Sequence, residues 1–176
     1  NNQSVFPPLC NAGYVGDSYE LQSQQSEVCA APCPDGKICP SAGTIIPVLP
    51  PIGYQAAGTG NSNAIPCRDD NGFLGVYCPG DGIYHSVKVG YKTVKAEVNL
   101  SFGYVGRNNI GQTLCPQGYY CINGLNHSCP KGTYMPAETP SRDRTAASAC
   151  QPCAKGSTTQ GTAATSKGDC TECKPG

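Results

Sequence analysis

Four cysteines near the end of the chain have the spacing of a zinc ribbon. They read Cys150-x2-Cys153-x16-Cys170-x2-Cys173, and paired Cys-x2-Cys groups at such a separation hold a tetrahedral Zn²⁺ in small domains. The chain has 13 cysteines in 176 residues, however, so nine more lie outside this set. A density this high is typical of the disulfide frameworks of secreted proteins. We therefore expect disulfides, with zinc as the alternative that a count of thiols after metal removal would reveal.

Redox or hydrolytic chemistry finds little support in the sequence. The pair Cys150-x-x-Cys153 has the spacing of a redox centre, but its neighbours lack the strand and helix that such a centre needs. His85 and His127 are the only histidines, and neither lies in a pattern that joins a nucleophile, a base and an orienting acid. We expect no catalytic residues and no enzyme activity.

Two short polar motifs have some features of ligand sites. Residues 69–72 read Asp-Asp-Asn-Gly and offer three oxygen-bearing side chains, fewer ligands than a calcium site requires. Residues 58–60 read Gly-Thr-Gly but lack the flanking strand and helix of a phosphate-binding loop. The sequence predicts a turn and a flexible loop here, and no metal or cofactor.

The elements that position the cysteines must be built from little apolar material. Leu, Ile, Val and Phe together number 28 of 176 residues, a share below that of a chain with a generous core. The chain also has 22 Gly and 16 Pro, which favour turns. A disulfide that closes a loop of about 15 residues contributes roughly 3 kcal/mol. We predict a small disulfide-rich fold, mostly β and loop, arranged as an extended tandem array of cysteine-clipped modules.

An odd number of cysteines leaves at least one without a partner in this chain. The cysteines expected in disulfides are Cys10, Cys29, Cys33, Cys39, Cys67, Cys78, Cys115, Cys121, Cys129, Cys150, Cys153 and Cys170. Cys173 is expected to be unpaired or to bond to another chain. Their connectivity does not follow from the residues alone.

Charge, hydropathy and cysteine content indicate the compartment in which the protein is found and exclude some kinds of partner. The 12 basic and 12 acidic residues balance, so there is no basic surface that would indicate nucleic-acid binding. No apolar run approaches the roughly 20 residues of a membrane span. The cysteine content implies an oxidising compartment, so we expect an extracellular or cell-surface protein. The missing initiator Met and the final Cys173-Lys-Pro-Gly176 lead us to expect a piece of a longer chain.

Segments of the chain resemble one another. Residues 39–54 and 78–91 each begin with Cys-Pro and end with Gly-Tyr, and residues 33–39 resemble residues 115–121. Repetition at about 40 to 50 residues suggests a linear array. We expect an N-terminal cysteine-rich module at 1–38, repeat units at 39–77 and 78–121, and further cysteine repeats at 122–176.

The clearest strand signal lies in residues 94–104. Val94, Ala96, Val98, Leu100, Phe102 and Tyr104 alternate with more polar residues, as in a half-buried strand. Val87, Val89 and Tyr91 alternate in the opposite parity, which predicts a bulge or tight turn near residues 91–93.

Three N-glycosylation sequons begin at Asn2, Asn99 and Asn126. Asn99 falls on the polar face of the predicted strand, where a glycan would block edge-to-edge pairing. Residues 133–149 and 157–167 are rich in Thr, Ser and Ala, a composition that suits O-linked glycans.

The run Cys129-Pro-Lys-Gly-Thr-Tyr…Cys150-Gln-Pro-Cys153-Ala-Lys-Gly…Cys170-Thr-Glu-Cys173 resembles the ephrin-receptor-like cysteine repeat of the growth-factor-receptor cysteine-rich group. The resemblance covers residues 115–176 well and residues 10–114 loosely, and it departs at 156–158, where the family has an aromatic residue after the glycine. It implies disulfides Cys129–Cys150 and Cys153–Cys170, with Cys10–Cys29 by analogy. It also implies a tandem extracellular array, as in receptor ectodomains and in long surface or flagellar-hair (mastigoneme) proteins of algae and other protists.

These observations predict a structural extracellular glycoprotein, a subunit or segment of a surface filament such as a flagellar hair. Its partners would be further copies or neighbouring repeats, and N- and O-linked glycans. The alternative is a ligand-binding ectodomain of a receptor or adhesin. More repeats beyond residue 176 would favour the first hypothesis, and a membrane span followed by a cytoplasmic domain would favour the second.

Overall fold

The computed structural model describes residues 10–16, 29, 31–99 and 105–173. Most of its regular structure is β. The strands are β1 Tyr14–Val15, β2 Ala31–Pro32, β3 Tyr54–Gln55, β4 Ile65–Pro66, β5 Val76–Tyr77, β6 His85–Ser86, β7 Tyr91–Asn99, β8 Val105–Leu114, β9 Tyr119–Ile122, β10 Leu125–Ser128, β11 Thr133–Tyr134, β12 Gln151–Pro152, β13 Ser157–Thr159 and β14 Cys170–Glu172.

Each strand pairs with the strand next to it in the chain. The pairs form seven two-stranded sheets, β1–β2, β3–β4, β5–β6, β7–β8, β9–β10, β11–β12 and β13–β14. In β9–β10 the antiparallel register places Tyr119 opposite Ser128 and Ile122 opposite Leu125. A two-stranded sheet is marginally stable in water by itself, so these sheets depend on contacts with the chain around them.

Short 3₁₀ helices occupy some of the connections. They span Asp69–Asn71, Ser141–Asp143, Ala147–Ala149 and Lys167–Asp169. The last of these begins with a capping box, in which Ser166 and Asp169 bond to each other's backbone N–H groups. Within the described ranges, no helix is long and apolar enough to cross a membrane.

Sulfur dominates the buried interior. Of the eleven buried apolar residues in the described part of the chain, nine are cysteines, and the other two are Ala56 and Met135. Met135 packs against the Cys129–Cys150 disulfide, with Tyr120 and Ala149 beside it. The fold is therefore disulfide-rich and mostly β and loop, which confirms this part of the predicted fold class.

The longest predicted strand is present in part. β7 covers residues 91–99, and its alternation holds where the side chains are described, since Val94 and Ala96 are half-buried while Lys95 and Glu97 are exposed. The rest of the predicted strand, residues 100–104, lies outside the described residues. A tight turn precedes β7, closed by a hydrogen bond from the Tyr91 N–H to the Lys88 carbonyl.

The chain divides into two compact units. One comprises residues 1–71, 78–85 and 95–110, and the other comprises residues 72–77, 86–94 and 111–176.

Candidate functional site: a repeated turn, hairpin and cysteine clip

One hydrogen-bonding pattern recurs along the chain, and we call each occurrence a module. A module opens with a four-residue turn, in which the fourth N–H donates to the first carbonyl at 2.9–3.3 Å. The third residue is always glycine, which we call the turn glycine. A hairpin or bridge follows, and the last residue of the module, the closing residue, donates its N–H to the turn-glycine carbonyl at 2.7–2.9 Å.

Among the described residues, eight segments follow this plan, except that one of them lacks the closing hydrogen bond. In chain order they are modules 1 to 8, residues 11–33, 34–50, 51–67, 73–87, 88–115, 116–129, 130–153 and 154–173. Module 2 has one bridge, Ile38–Val48, in place of a sheet. Its closing residue is Pro50, which has no N–H to donate. Apart from residues 68–72, each module begins directly after the preceding one ends. The modules are shorter than the repeat of about 40 to 50 residues that the sequence suggests.

Glycine is required at the third turn position by the backbone. All eight turn glycines have φ between +73° and +90°, the conformation of the third residue in a type II turn. They are Gly13, Gly36, Gly53, Gly75, Gly90, Gly118, Gly132 and Gly156. Glycine adopts this conformation without the steric cost that a Cβ imposes.

The third residue after each turn glycine connects its module to the next one, and we call it the inner residue. The inner residues are Gly16, Cys39, Ala56, Cys78, Thr93, Cys121, Met135 and Thr159, and all are buried. In modules 1 to 7 the inner N–H donates to a carbonyl of the following module at 2.8–3.0 Å. The acceptors are Thr44, Asn61, Gly82, Asn109, Gly124, Arg144 and Ala164. Each module is therefore hydrogen-bonded to its successor.

The backbone carbonyls of three closing residues accept hydrogen bonds from the module two positions ahead. The Cys33 carbonyl accepts from the N–H of Gly60 at 2.8 Å, and the Cys129 carbonyl accepts from the N–H of Ala163 at 2.9 Å. The Cys115 carbonyl instead accepts from the Arg144 guanidinium at 2.9 Å. The acceptor and the donor lie in modules 1 and 3, 6 and 8, and 5 and 7. Cys33, Cys115 and Cys129 are therefore held by the module two positions ahead.

Turn glycines pack against that same module. A Cβ on Gly13 would lie 2.6 Å from the Gly60 carbonyl oxygen, and one on Gly53 would lie 2.8 Å from the Cβ of Asn108. A Cβ would also come within 3.1 Å of Asn123 at Gly75, 2.2 Å of Ser141 at Gly90 and 2.3 Å of Ala163 at Gly118, whereas at Gly36 it would lie at an ordinary 3.7 Å from Gly82. In modules 1, 4, 5 and 6, glycine thus serves both the turn and the close approach of a second backbone, and in module 3 it makes room for the Asn108 side chain.

The disulfides follow the modules. Five of the six join the closing cysteine of one module to a cysteine of the next, and they are Cys33–Cys39, Cys67–Cys78, Cys115–Cys121, Cys129–Cys150 and Cys153–Cys170. The sixth joins Cys10, the residue directly before module 1, to Cys29 within it. Cα–Cα distances are 5.3–6.2 Å, as in ordinary disulfides. Every disulfide therefore links two successive modules or, for Cys10–Cys29, links the residue before module 1 to that module.

Partners of the closing cysteines are of two kinds. Cys39, Cys78 and Cys121 are inner residues, whereas Cys150 and Cys170 lie three residues before the closing residue of their module. Cys33–Cys39 and Cys115–Cys121 have a sequence separation of 6, and Cys67–Cys78 has 11. The five residues 68–72 between modules 3 and 4 account for the difference.

These pairs bear on the zinc alternative. Cys150 bonds to Cys129 and Cys153 bonds to Cys170, the pairings that the family resemblance implies. The four cysteines with zinc-ribbon spacing therefore do not present four thiolates to one ion. Within the part of the chain that the structure describes, no group of three or more His, Cys, Asp or Glu side chains is placed to hold a metal.

Cys173 is a free, exposed cysteine. It is the closing residue of module 8, and its N–H donates to the Gly156 carbonyl at 2.8 Å. The position of Cys173 in its module is the one from which the closing cysteines of modules 1, 3, 5, 6 and 7 form their disulfides.

Each histidine contacts a side chain of its own hairpin or loop. The Nε2 atom of His85 lies 2.6 Å from Oδ2 of Asp81. Desolvation raises the pKa of Asp81, but hydrogen bonds from His85 and from the Ile83 N–H outweigh it and hold that pKa below its ordinary value. His127 is stacked on Tyr120, with ring centroids 5.3 Å apart. These are surface contacts of hairpins, which require no reactive role.

The acidic motif at residues 69–72 forms a turn. Residues 69–71 are one 3₁₀ turn. Asp69 forms an ion pair with Lys95, and it accepts a hydrogen bond from Nδ2 of Asn109 at 2.8 Å. Its carboxylate is thus engaged by two protein donors, as expected of a structural turn.

Of the three sequons, one lies wholly in the described residues. Asn126 is on β10 with an exposed side chain. Asn99 is the last residue of β7, and the rest of its sequon lies outside the described residues, as does Asn2. Occupancy of the sequons stays a prediction.

Sequence reasoning identified the turns and the cysteines but missed the modules. The signal that marks them is Cys-x-x-Gly, in which a cysteine directly precedes a turn and the glycine is the turn glycine. At Cys10, Cys33, Cys115, Cys129 and Cys153 this motif coincides with the start of a module.

Comparison with known proteins adds no relative. The chain matches no protein-family model, and neither a curated protein nor a solved structure is detectably similar to it.

Proposed function

We propose that this chain is a structural segment of an extracellular filament or surface appendage, such as a flagellar hair. The observation that carries this proposal is the repeated junction. Each of modules 1 to 7 is hydrogen-bonded to its successor, and five closing cysteines form a disulfide with the next module. Modules that cannot bury a core alone gain their stability from neighbours, as in other repeat proteins.

The junctions suit a protein that transmits tension. Backbone hydrogen bonds from the inner residues connect modules 1 to 7 with their successors. At five of the seven junctions a disulfide runs alongside them. A disulfide limits how far a junction can extend before a covalent bond breaks. A chain with little apolar core can in this way resist extension without a large domain.

Self-association and glycosylation complete the proposal. Further copies or neighbouring repeats of a longer chain would continue the array, and N- and O-linked glycans would cover its surface. The six disulfides fit an oxidising extracellular location.

Electron microscopy of native, unreduced material tests the proposal, with a reduced aliquot beside it. We expect filaments whose axial repeat matches the length of one chain. Filaments that dissolve on reduction would show that disulfides hold the assembly together. Dispersed monomers under all native conditions would refute the filament.

A ligand-binding ectodomain is the second candidate, favoured by one exposed segment. Ile46, Val48, Leu49 and Ile52 have exposed fractions of 46–67%, and exposed apolar residues close together mark interaction sites. If microscopy shows monomers, binding of labelled protein to the source cells becomes the test. An ectodomain predicts that Ile46→Ser with Leu49→Ser abolishes this binding, whereas a filament segment predicts no saturable binding by the monomer.

A further inference from the structure

The hydroxyl groups in the loop of module 8 differ in what they contact. Thr159 is buried, and its Oγ1 accepts a hydrogen bond from the Gly132 N–H at 2.9 Å. Thr165 and Ser166 hydrogen-bond through their side chains to the Asp169 carboxylate. Because each of these hydroxyls supports the fold, a substituent on any of them would cost a hydrogen bond.

Thr162 differs from these residues. Its side chain is exposed, and the part of the chain that the structure describes gives its hydroxyl no hydrogen-bond partner. The residue before it, Gly161, is also exposed, and no described atom lies within 4 Å of a Cβ built on Gly161. A substituent on the Thr162 hydroxyl would therefore break no internal hydrogen bond and would meet open space on this side.

The backbone that follows Thr162 is held in place by modules 6 and 7. The Ala163 N–H donates to the Cys129 carbonyl at 2.9 Å, and the Ala164 carbonyl accepts from the Met135 N–H at 2.9 Å. Ala163 has a φ of +62°, a conformation that is uncommon for a residue with a Cβ. These two hydrogen bonds maintain that conformation, so the neighbouring modules fix the backbone that carries Thr162.

A cleft of about 510 Å³ lies beside Thr162 and is formed entirely by residues of module 8. Its volume is within the range of small-ligand sites, roughly 300–1,000 Å³. Gln160, Asp169 and Thr171 are among the residues that line it, and their amide, carboxylate and hydroxyl groups can pair with the hydroxyls of a sugar. The cleft thus offers polar partners to a sugar attached at Thr162.

We propose that Thr162 carries an O-linked glycan whose first sugar occupies this cleft. The sugar comes from a nucleotide-activated donor through a glycosyltransferase. Oγ1 of Thr162 forms a bond to the anomeric carbon, and the bond from that carbon to the phosphate of the donor breaks. The hydroxyl proton passes to a base of the transferase, and a nucleoside diphosphate leaves. The inference rests on the proposed function, whose O-linked glycans it assigns to one residue and one cleft.

Thr145 shows whether exposure alone is enough for the modification. It belongs to the other segment rich in Thr, Ser and Ala, residues 133–149, and its side chain is exposed as that of Thr162 is. It is not among the residues that line the cleft. If the cleft selects the site, Thr162 is glycosylated and Thr145 is bare.

Glycopeptide mapping of the protein purified from its source is the direct test. N-linked glycans are first released with an enzyme, so that a glycan at Asn126 is not counted. Electron-transfer fragmentation should then locate a hexose or an N-acetylhexosamine on Thr162, with Thr145 and Thr159 bare. A bare Thr162 would overturn the proposal, as would equal occupancy of Thr162 and Thr145.

Matched variants expressed in the source organism give a second test. Thr162→Val removes the hydroxyl and nearly keeps the shape of the side chain, so the intact mass of the N-deglycosylated protein should fall by one O-linked glycan. Thr145→Val is the control and should keep that glycan. An unchanged glycan mass in Thr162→Val would overturn the proposal. If Thr162→Val does not fold, the map of the wild-type protein decides alone.

NMR of the glycosylated wild-type protein tests the cleft itself. Nuclear Overhauser effects should connect protons of the first sugar with protons of Gln160 and Thr171. A glycan on Thr162 that has no such contact with the cleft would overturn this half of the proposal.

The proposed function and this inference fail separately. Filaments of chains in which Thr162 is bare would retain the proposed function and refute the inference. Monomers with a glycan on Thr162 seated in the cleft would do the reverse.

Discussion

The turn glycine Gly118 lies so close to the backbone of Ala163 that a Cβ on Gly118 would overlap the Ala163 carbonyl oxygen. Gly118 has a φ of +78° and Gly156 has a φ of +86°, yet a Cβ on Gly156 would meet no described atom within 4 Å. The two residues have the same role in modules 6 and 8. Substituting each of them therefore separates the cost of a Cβ at positive φ from the cost of a clash between two modules.

Alanine at the two turn glycines should therefore have unequal effects. Gly156→Ala should lower the free energy of unfolding by about 1–2 kcal/mol, the cost of a Cβ at positive φ. Gly118→Ala should lower it by a further ~1–3 kcal/mol, because the new Cβ collides with a backbone that cannot easily move. Denaturant unfolding with the disulfides intact measures both. Equal losses would mean that modules 6 and 8 are not in close contact.

The junction between modules 4 and 5 has no disulfide, although its residues hold the two positions that a disulfide joins at the next junction. Val87 is the closing residue and Thr93 is the inner residue, the positions that Cys115 and Cys121 occupy at the next junction. A Cβ on Gly124 would lie 2.9 Å from Cγ2 of Thr93 and 3.4 Å from Cγ2 of Val87, so the two side chains flank the same point.

Val87→Cys with Thr93→Cys should therefore create a seventh disulfide. We expect the free-thiol count to equal that of the wild type, and stability to rise by up to roughly 2 kcal/mol on the chain-entropy model. Each single variant serves as a control and should add one thiol. Two additional thiols in the double variant after air oxidation would show that the modules do not repeat at this junction.

How much of this fold the sequence predicts depends on the element. Cysteine density and low apolar content predict the fold class, because a chain with so few aliphatic residues has no other source of stability. The half-buried β7 follows from the alternation around Val94 and Ala96. β8 has no such signal, since Gly106, Arg107 and the buried Asn108 interrupt any apolar alternation.

The module contacts lie beyond sequence reasoning for a physical reason. A positive-φ turn is visible as glycine, but the residue that approaches it from two modules ahead is Gly60, Asn108 or Ala163, which share no side-chain chemistry. Gly60 and Ala163 make these contacts with backbone atoms, and Asn108 makes its contact with its side chain. The repeated Cys-x-x-Gly spacing indicates where modules begin, and only the folded chain shows what each one touches.

Asp169 should stabilise its loop in a pH-dependent manner. The Thr165 and Ser166 N–H groups each donate to its Oδ2 atom at 2.9 Å. These two backbone hydrogen bonds, the one from Thr165 first, lower the pKa of Asp169. A carboxylate whose pKa is lower in the folded state stabilises it above the unfolded-state pKa of about 3.9, and this contribution is lost as pH falls through the lower folded value.

Asp169→Asn tests that dependence. The difference in unfolding free energy between wild type and variant should be constant near neutral pH and shrink below about pH 4. Denaturant unfolding across this range measures the difference, and an NMR titration of the Asp169 carboxyl should have its midpoint below the unfolded value. A difference that stays the same at acidic pH would show that the carboxylate makes no charge-dependent contribution.

N-linked glycosylation at Asn126 is the prediction that bears most directly on the extracellular assignment. The Asn126 side chain is exposed on β10, and the sequon is completed by Ser128. Because only proteins that enter the secretory pathway receive this modification, a glycan on Asn126 in native material would place the chain there. Glycopeptide mapping should find one glycan at this residue.

Ser128→Ala should remove that glycan and Ser128→Thr should retain it, since threonine completes a sequon as serine does. Both substitutions change the same half-buried residue, Ser128. The threonine variant therefore controls for an effect of the substitution on folding. A bare Asn126 in wild-type native protein would remove the glycan from the proposed function. Equal glycosylation of both variants would assign the glycan to another residue.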